Sequence, residues 1–438
     1  MSNNYFYEVL NELIEDLNRD FIETQQDELI SYRREAFNKY YDVEEIKPVT
    51  NGLKYGFIDA GFIVYEFDVS IILPMRISAV IRDSKGELHR INDYLGRTVY
   101  DALLLYSARK TIGDRYSFKI RIEPFHDHGL LFDRREEARK VSNEINHLLD
   151  EVGNLTKTRS PSFFKKMTRY IEGLLELAYA LKLCMELEDR GEDLDYVVLD
   201  GTLIKWFSVR KLPVRIDGLD ILSIILSVDK RSLIKYLYRV IGLSKTSKFT
   251  NIVRSHSLFN AKKPCGVCGN GLYTRVDING LRELEKLFNK LLSERALESF
   301  IEDTIHLFNR IVFHRHGVWV SRFPLTPDNY TVFMLDIYMD KPILVKEQSL
   351  VSYDRNNASL VNSRLDEIVN TLLAYRTRSI GEPPYGYMEV DKDVRLGRNI
   401  KRSFEIALLT ILREREDYVS RILEQVFSST TRMRYGYS

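Results

Sequence analysis

In the main part of this chain, beyond its first 45 residues, strand-like segments come first and helices alternate with strands after them, an order that few architectures accommodate. The segment Tyr55–Arg82 is rich in Ile, Val, Phe and Tyr and is punctuated by Gly and Pro, which predicts two or three adjacent strands. Further along, a predicted helix over Tyr170–Arg190 leads into a short apolar strand over Tyr196–Leu199. The order predicts an α/β fold in which a mixed β-sheet is flanked by helices.

The remaining segments extend this pattern. Residues 5–31 carry an apolar stripe at helical spacing and predict an N-terminal helical arm over 1–45, so that 46–438 forms the main domain. Further strands are predicted over Val99–Tyr106 (where a helix is the alternative), Ser117–Glu123, Val240–Leu243, Ile311–Arg322 and Thr331–Tyr338, and further helices over Asp133–Asp150, Arg231–Arg239, Gly280–Phe308, Leu360–Arg376 and Asp391–Gln425.

Composition narrows the class of protein. Of the 438 residues 44% are hydrophobic and 29% are charged, which excludes intrinsic disorder and collagen-like repeats. Charged residues interrupt every apolar run before it reaches the length of a membrane span. The acidic first residues do not resemble a secretory signal, so we expect a cytoplasmic protein. The net charge is +1, so binding to nucleic acid requires a local basic patch.

Two aspartates follow apolar strands with a glycine close by. Asp59 lies in the strand-like segment before Gly61, and Asp200 directly precedes Gly201. A carboxylate at a strand end, near a glycine that lets a ligand approach the backbone, suits a hard cation that bridges to phosphate oxygens. The alternative for each aspartate is a turn or a helix cap.

The run from Asp200 to Leu203 also matches part of another phosphate-handling pattern. The haloacid-dehalogenase-like phosphatases carry Asp-x-Asp-Gly-Thr-Leu at a strand end, and their first Asp forms the phosphoenzyme. That position is Val198 here, so covalent catalysis of this kind is excluded.

A glutamate lies in the helix that precedes the Asp200 strand. Glu176 stands between Leu175 and Leu177, on or beside the apolar face. A glutamate in that position is either a buried, paired structural residue or a metal ligand that points at the sheet.

Five segments, in order, resemble the NurA nucleases, a family of archaeal and bacterial DNA-repair enzymes with an RNase H-like fold. They span residues 55–396, most of the chain. Ala60, Thr202 and Asp391 stand where many members have Gly, Ser and His, and insertions fall near 83–150 and 255–330. The matching segments are Phe57–Phe62, Leu174–Ala178, Val198–Leu203, Gly242–Ser247 and Pro384–Asp393.

The resemblance implies an RNase H-like, Mn²⁺- or Mg²⁺-dependent nuclease that acts on single- and double-stranded DNA. It also implies exonuclease activity, with single-strand endonuclease activity as a further expectation, in end resection and double-strand break repair. The implied partners are a HerA-type hexameric translocase and a second copy of the chain. Carboxylate ligands fit these hard cations. The implied metal ligands are Asp59, Glu176, Asp200 and Asp391, and the implied catalytic residues are these four and Lys245.

Basic residues precede the Glu176 helix and follow the strand that ends near Leu243. As a DNA track they would neutralise phosphates close to the carboxylates. The alternative is an ordinary solvated surface. The candidates are Lys157, Arg159, Lys165, Lys166, Lys245 and Lys248.

Histidine and cysteine pairs suggest further metal sites. His126 and His128, like His314 and His316, are spaced by two, which on a strand would place both imidazoles on one face. Cys265 and Cys268 form one half of a zinc knuckle. His256 is a candidate to complete a structural Zn²⁺ site, and a free thiol pair or a local disulfide are the alternatives.

Asp391 has two interpretations. As the first residue of a long C-terminal helix it would cap the N-terminal amides, and as a fourth metal ligand it would need its negative charge.

The departures at Ala60 and Asp391 also leave a second hypothesis for the whole chain, a NurA-like DNA-binding adaptor without catalysis.

Overall fold

The computed structural model describes residues 13–14, 28–50, 52–67, 69–112, 115–155, 161–204, 217–245, 248–255, 258–261, 271–293, 297–327, 331–375, 383–415, 420–422 and 424–425. The strands are β1 Tyr41–Glu45, β2 Tyr55–Phe62, β3 Tyr65–Glu66, β4 Ser70–Arg82, β5 Leu88–Arg90, β6 Asp101–Ile112, β7 Arg115–Pro124, β8 Tyr196–Asp200, β9 Val240–Ser244, β10 Leu272–Val276, β11 Asn309–Phe313, β12 Val318–Thr326, β13 Phe333–Met339, β14 Leu344–Glu347 and β15 Leu350–Tyr353.

The helices begin with α1 Glu28–Tyr40 and α2 Ile91–Leu95. They continue with α3 Arg135–Leu155, α4 Pro161–Asp189, α5 Gly218–Leu226, α6 Lys230–Leu237, α7 Lys248–Ser255, α8 Gly280–Leu292, α9 Glu298–Phe308, α10 Arg355–Leu372, α11 Tyr387–Val394 and α12 Arg398–Glu414.

Among the described residues thirteen strands form one mixed sheet, in the order β1-β10-β12-β13-β9-β8-β2-β4-β6-β7. Off this path β11 pairs with β12, and β3 and β5 pair with β4, while β14 and β15 form a separate hairpin. The predicted α/β fold, a mixed sheet flanked by helices, is confirmed. Tertiary contacts divide the chain into two compact units.

One unit comprises 52–200, 204–241 and 384–438. Its strands β2, β4, β6 and β7 are consecutive antiparallel neighbours, and β8 runs parallel to β2. Helix α4 packs on the face of the sheet to which Gly56 belongs, where a Cβ on Gly56 would lie 3.5 Å from the Leu183 side chain of α4. Helix α11 packs on the other face, that of Phe57, since alternate residues of a strand face opposite sides.

The other unit comprises 1–51, 201–203 and 242–383. Its antiparallel strands β1, β10, β12 and β13 carry a core rich in aromatic rings, in which Tyr40 stacks on Phe308 with ring centroids 4.0 Å apart. Phe37 is fully buried against the same Phe308 ring.

Three predicted elements are wrong in detail. The helix predicted over Gly280–Phe308 is two helices, α8 and α9. The strand predicted over Ile311–Arg322 is interrupted by a 3₁₀ turn at His314–His316, where Gly317 adopts a φ of +66°. The helix predicted over Asp391–Gln425 is also divided, since Asp391 lies inside α11 and α12 ends at Glu414.

Several predictions fall where little is described. Of the predicted helix 5–31 only residues 13–14 and 28–31 are described, the latter as the start of α1. The division into a 1–45 arm and a 46–438 domain stays a prediction. None of the helices among the described residues combines the length and apolarity needed to cross a membrane.

Candidate metal centre

Asp59 and Asp200 are neighbours on adjacent parallel strands. The register of β2 and β8 pairs Tyr55 with Tyr196 and continues to Ile58 with Leu199, so the next position in register is Asp59 beside Asp200. Strands in a sheet lie about 4.8 Å apart, and residues in register on parallel strands face the same side. Both aspartates are half-buried. The structure therefore brings these two predicted residues together.

Helix α11 covers the face on which this aspartate pair lies. The Tyr387 hydroxyl donates a hydrogen bond to the Asp200 carboxylate. Burial, together with the negative charges of Asp200, Asp59 and Asp391, holds the pKa of Tyr387 well above its ordinary value of 10.0. Tyr387 is therefore a neutral phenol that keeps its proton and donates a hydrogen bond to Asp200.

Two close approaches fix the position of α11. A Cβ on Gly386, where φ is +112°, would lie 2.4 Å from the Phe57 ring. A Cβ on Gly61 would lie 2.1 Å from the carbonyl oxygen of Val394. Buried Arg82 also donates from Nη1 to the Tyr385 carbonyl at 3.3 Å. The absence of a side chain at Gly61 thus lets the backbone of α11 pack closely against β2. From the sequence, this glycine was expected to make room for a ligand instead.

Gly201, beside the second aspartate, differs from Gly61. Its φ is +110°, and a Cβ there would meet nothing within 4 Å. The space on the Cβ side of Gly201 is therefore open, while its N–H donates to the Leu243 carbonyl of β9 at 2.9 Å, so β9 packs against this turn.

Asp391 lies one helical turn after Tyr387, on the same side of α11. The interpretation as a helix N-cap is wrong, because α11 begins four residues earlier, where the backbone N–H of Gly386 donates to Glu389 at 2.8 Å. The Asp391 carboxylate instead pairs with Arg395 one turn later. Its negative charge also contributes to the raised pKa of Tyr387.

Glu176 is 3% exposed on α4, the helix that packs on the opposite face of β2 from α11. Its burial excludes a solvated position. Both earlier interpretations, a paired structural residue and a metal ligand, require a buried carboxylate, so the role of Glu176 as a ligand stays a prediction.

Two polar residues were missed at the level of the sequence, Tyr387 on α11 and Asp336 within β13. Tyr387 lies within the Pro384–Asp393 segment, four residues before Asp391, and this helical spacing was the available signal. Asp336 on β13 is fully buried and accepts hydrogen bonds from the Thr202 hydroxyl and, at 3.0 Å, from the Leu203 N–H. Asp336 carried no sequence signal, since it lies inside an apolar strand.

The predicted basic track is described only in part. Lys165 is exposed and pairs with Glu66, and Lys166 is exposed beside it. Lys245 is half-buried directly after β9, and Lys248 opens α7, where only its backbone is described. Lys157 and Arg159 lie outside the described residues. The DNA-binding role of this set stays a prediction.

The predicted histidine arrangement is wrong. His126 and His128 lie in an exposed loop after β7, and His314 and His316 lie in the 3₁₀ turn, so neither pair shares a strand face. Cys265, Cys268 and His256 lie outside the described residues, and the proposed zinc site stays untested.

An acidic turn elsewhere in the same unit brings further ligand atoms together. Asp83, Glu87 and His89 offer atoms within 4.8 Å of one another, among the described residues. Asp83 accepts from the N–H groups of Lys85 and Glu87, each at 2.9 Å, and lies 3.2 Å from His89 Nε2. Burial opposes the shift, but these hydrogen bonds hold the pKa of Asp83 below its ordinary value. The cluster is thus accounted for by the turn itself.

Comparison with known proteins gives structural neighbours alone. No protein-family model matches the chain, and no curated protein sequence matches it. The crystal structure of the NurA nuclease from Sulfolobus solfataricus is 13% identical and has a TM-score of 0.41, over 95% of this chain and 99% of that one. A second NurA crystal structure is 10% identical over 96% of this chain and all of its own, with a TM-score of 0.33. A NurA structure with manganese is 10% identical over 92% of this chain and 98% of its own, also at 0.33.

Proposed function

We propose that this protein is a metal-dependent nuclease that hydrolyses phosphodiester bonds in DNA. The observation that carries the proposal is the register of β2 and β8, which sets Asp59 beside Asp200 on one face of the sheet. Two like charges this close are unfavourable unless a cation or a proton lies between them. A divalent cation that also binds a phosphate oxygen satisfies both carboxylates.

The donor set fits Mn²⁺ or Mg²⁺. The predicted ligands are the carboxylates of Asp59, Asp200, Asp391 and Glu176, and oxygen-only donors favour hard cations over zinc or copper. When bound, such an ion supplies an activated water and stabilises negative charge on the phosphate and leaving oxygens.

The residues of the chain have separable roles in this proposal. Tyr387 orients the Asp200 carboxylate through its hydroxyl and, as a neutral donor, adds no charge to the site. Asp391 adds a third negative charge from α11, and Arg395 neutralises part of it. Lys245 is proposed to contact the substrate phosphates.

The wider setting is proposed from the sequence resemblance alone. It comprises DNA end resection with a HerA-type hexameric translocase and assembly of the chain as a homodimer. The apolar stripe of residues 5–31 is proposed in addition to contribute either to that assembly or to docking of the translocase. The competing proposal is a DNA-binding adaptor of the same fold that does not cleave. A direct cleavage assay separates the enzyme from the adaptor.

The test compares Asp59→Asn, Asp200→Asn and Asp391→Asn with the unmodified protein, on labelled single-stranded and duplex DNA with Mn²⁺. We expect cleavage by the unmodified protein and a loss of about 10²-fold or more in each variant, since each removes a negative charge from the site. The exposed residue Asp93, on α2, provides a matched control, and Asp93→Asn should cleave normally.

Melting in EDTA checks that the variants fold. Asp59→Asn and Asp200→Asn should melt at or above the temperature of the unmodified protein, because each relieves repulsion in the pair. Full cleavage by both variants would overturn the metal-site proposal, and a folded protein that binds DNA without cleaving it would favour the adaptor.

A further inference from the structure

A cleft of about 630 Å³ opens beside the sheet in the unit that carries Asp59. Its volume lies in the range of sites that hold small organic groups. None of its lining residues takes part in the proposed metal centre. The lining residues are Arg97, Thr98, Tyr100, His126, Asp127 and His128.

An aromatic surface is the main feature of this cleft. The Tyr100 side chain is 39% exposed, and the Arg76 guanidinium lies 5.2 Å from its ring centroid. The His126 ring meets the Tyr100 ring at 74°, with centroids 5.0 Å apart. Exposed aromatic rings and guanidinium planes are the surfaces on which unpaired nucleic-acid bases stack.

The charges around the ring suit a phosphate group. Arg97 and Arg76 are cationic, against the single carboxylate of Asp127 in the lining. Arg97 donates one N–H to Glu186 at 3.4 Å, and a guanidinium has five N–H donors, so it can bind a phosphate oxygen as well. The chemistry of the cleft is therefore that of a nucleotide, a planar base with a phosphate.

The loop that carries the two histidines is held in place by hydrogen bonds to the buried carboxylate of Asp101. Asp101, 2% exposed, accepts from the N–H groups of Leu130 and Leu131 at 2.8 and 3.0 Å. A Cβ on Gly129 would lie 2.5 Å from Asp101 Oδ1, so the loop backbone lies directly against this carboxylate. The Phe125 N–H also donates to the Ala102 carbonyl at 2.9 Å. The cleft is thus preformed.

Strand register places the ring on the same side of the sheet as the aspartate pair. Asp59 on β2 pairs with Ser78 on β4, and Ile77 on β4 pairs with Asp101, the first residue of β6. Continuing this register by one residue sets Tyr100 opposite Ser78. Residues directly opposite on antiparallel strands face the same side, and two strand spacings amount to about 10 Å. That separation is close to the length of about three stacked nucleotides.

We propose that the cleft binds an unpaired base of a single-stranded DNA substrate, with the base stacked on Tyr100 and its phosphate held by Arg97. The inference deepens the proposed nuclease function, on which it rests, by assigning a site for the strand about three nucleotides from the bond that is cleaved. Duplex DNA, whose bases are already stacked on one another, does not use this site.

The test measures binding apart from cleavage. A short single-stranded oligodeoxythymidylate that carries one 2-aminopurine is titrated in EDTA, with fluorescence quenching and anisotropy as readouts. Tyr100→Ala should raise the Kd by about 5- to 150-fold and abolish the quenching, as expected for the loss of one stacked base. Tyr100→Phe keeps the ring and should bind normally. Phe125→Ala, which removes an equally exposed ring outside the lining, is the matched control.

Cleavage with Mn²⁺, measured on the same proteins, separates the two proposals. Loss of quenching in Tyr100→Ala, without DNA cleavage by any protein, would support the cleft and overturn the nuclease. Normal cleavage with unchanged quenching and Kd in Tyr100→Ala would overturn the cleft proposal and leave the nuclease intact. A Kd for duplex DNA that rises as much as that for the single strand would also overturn the assignment to an unpaired base.

Discussion

At the scale of single residues, two aspartates on different strands of one sheet, Asp59 on β2 and Asp101 on β6, have environments that assign them different tasks. Asp59 is half-buried beside another carboxylate, whereas Asp101 is almost fully buried and accepts backbone N–H groups. A carboxylate next to a second carboxylate needs a counter-ion, while one that accepts two amide protons is largely satisfied within the fold. Asp101 is therefore structural, although its residue type is the same.

Asp101 makes stability depend on pH. Burial raises its pKa from 3.8 to about 6, against the opposing effect of the Leu130 and Leu131 amides. Between pH values of about 4 and about 6 the folded protein keeps a proton that the unfolded chain has lost, so this group's contribution to stability falls as pH rises. The expected fall is about 3 kcal/mol.

Chemical denaturation across that pH range checks the prediction. Asp101→Asn removes the titrating group, so its free energy of unfolding should rise by about 3 kcal/mol relative to that of the unmodified protein as pH increases from about 4 to about 6. Parallel pH profiles for the two proteins would show that Asp101 titrates normally in the folded state.

At the scale of elements, Gly386 lets the start of α11 pack closely over the strand that carries Asp59. We predict that Gly386→Ala lowers the free energy of unfolding by more than about 1 kcal/mol, because a positive φ is strained for alanine and the new Cβ would clash with the Phe57 ring. The displaced helix would also carry Tyr387 away from Asp200, so cleavage should fall.

The matched control is Gly191→Ala. Its φ is +73°, but a Cβ there would meet nothing within 4 Å, so it carries the backbone strain without the clash. Denaturation and cleavage assays on both variants separate the two effects. Equal losses of stability, with unchanged cleavage in Gly386→Ala, would contradict the account of how α11 is positioned.

The sequence carried information about these elements to different degrees. Strands such as β8 could be predicted from their apolar, β-branched composition, and Asp200 from its position at the end of that strand. The strand-end position expected for Asp59 is wrong, because β2 continues past Asp59 to Phe62 in antiparallel pairing with β4. The break between α8 and α9 carries neither Gly nor Pro, so a continuous helix was the natural prediction. The break after α11 does contain Gly397, a signal that the apolar pattern on either side concealed.

At the scale of the whole molecule, the relations between elements were beyond prediction. The register between β2 and β8 joins segments 141 residues apart in the sequence, and tertiary packing alone decides which strands pair and on which face each aspartate lies. The fold class followed from element order. The participation of Tyr387 and the placement of the Tyr100 cleft depend on β-sheet register and on helix docking, neither of which is a local property.

The most direct test of the central claim is a crystal structure with Mn²⁺, with the ion located by its anomalous scattering. The account predicts an ion between Asp59 and Asp200, with carboxylate oxygens of both at about 2 to 2.5 Å. It also predicts that Asp200→Asn loses that anomalous peak while Asp93→Asn keeps it. An ion bound at Asp83, Glu87 and His89 instead, with none at the aspartate pair, would contradict the account.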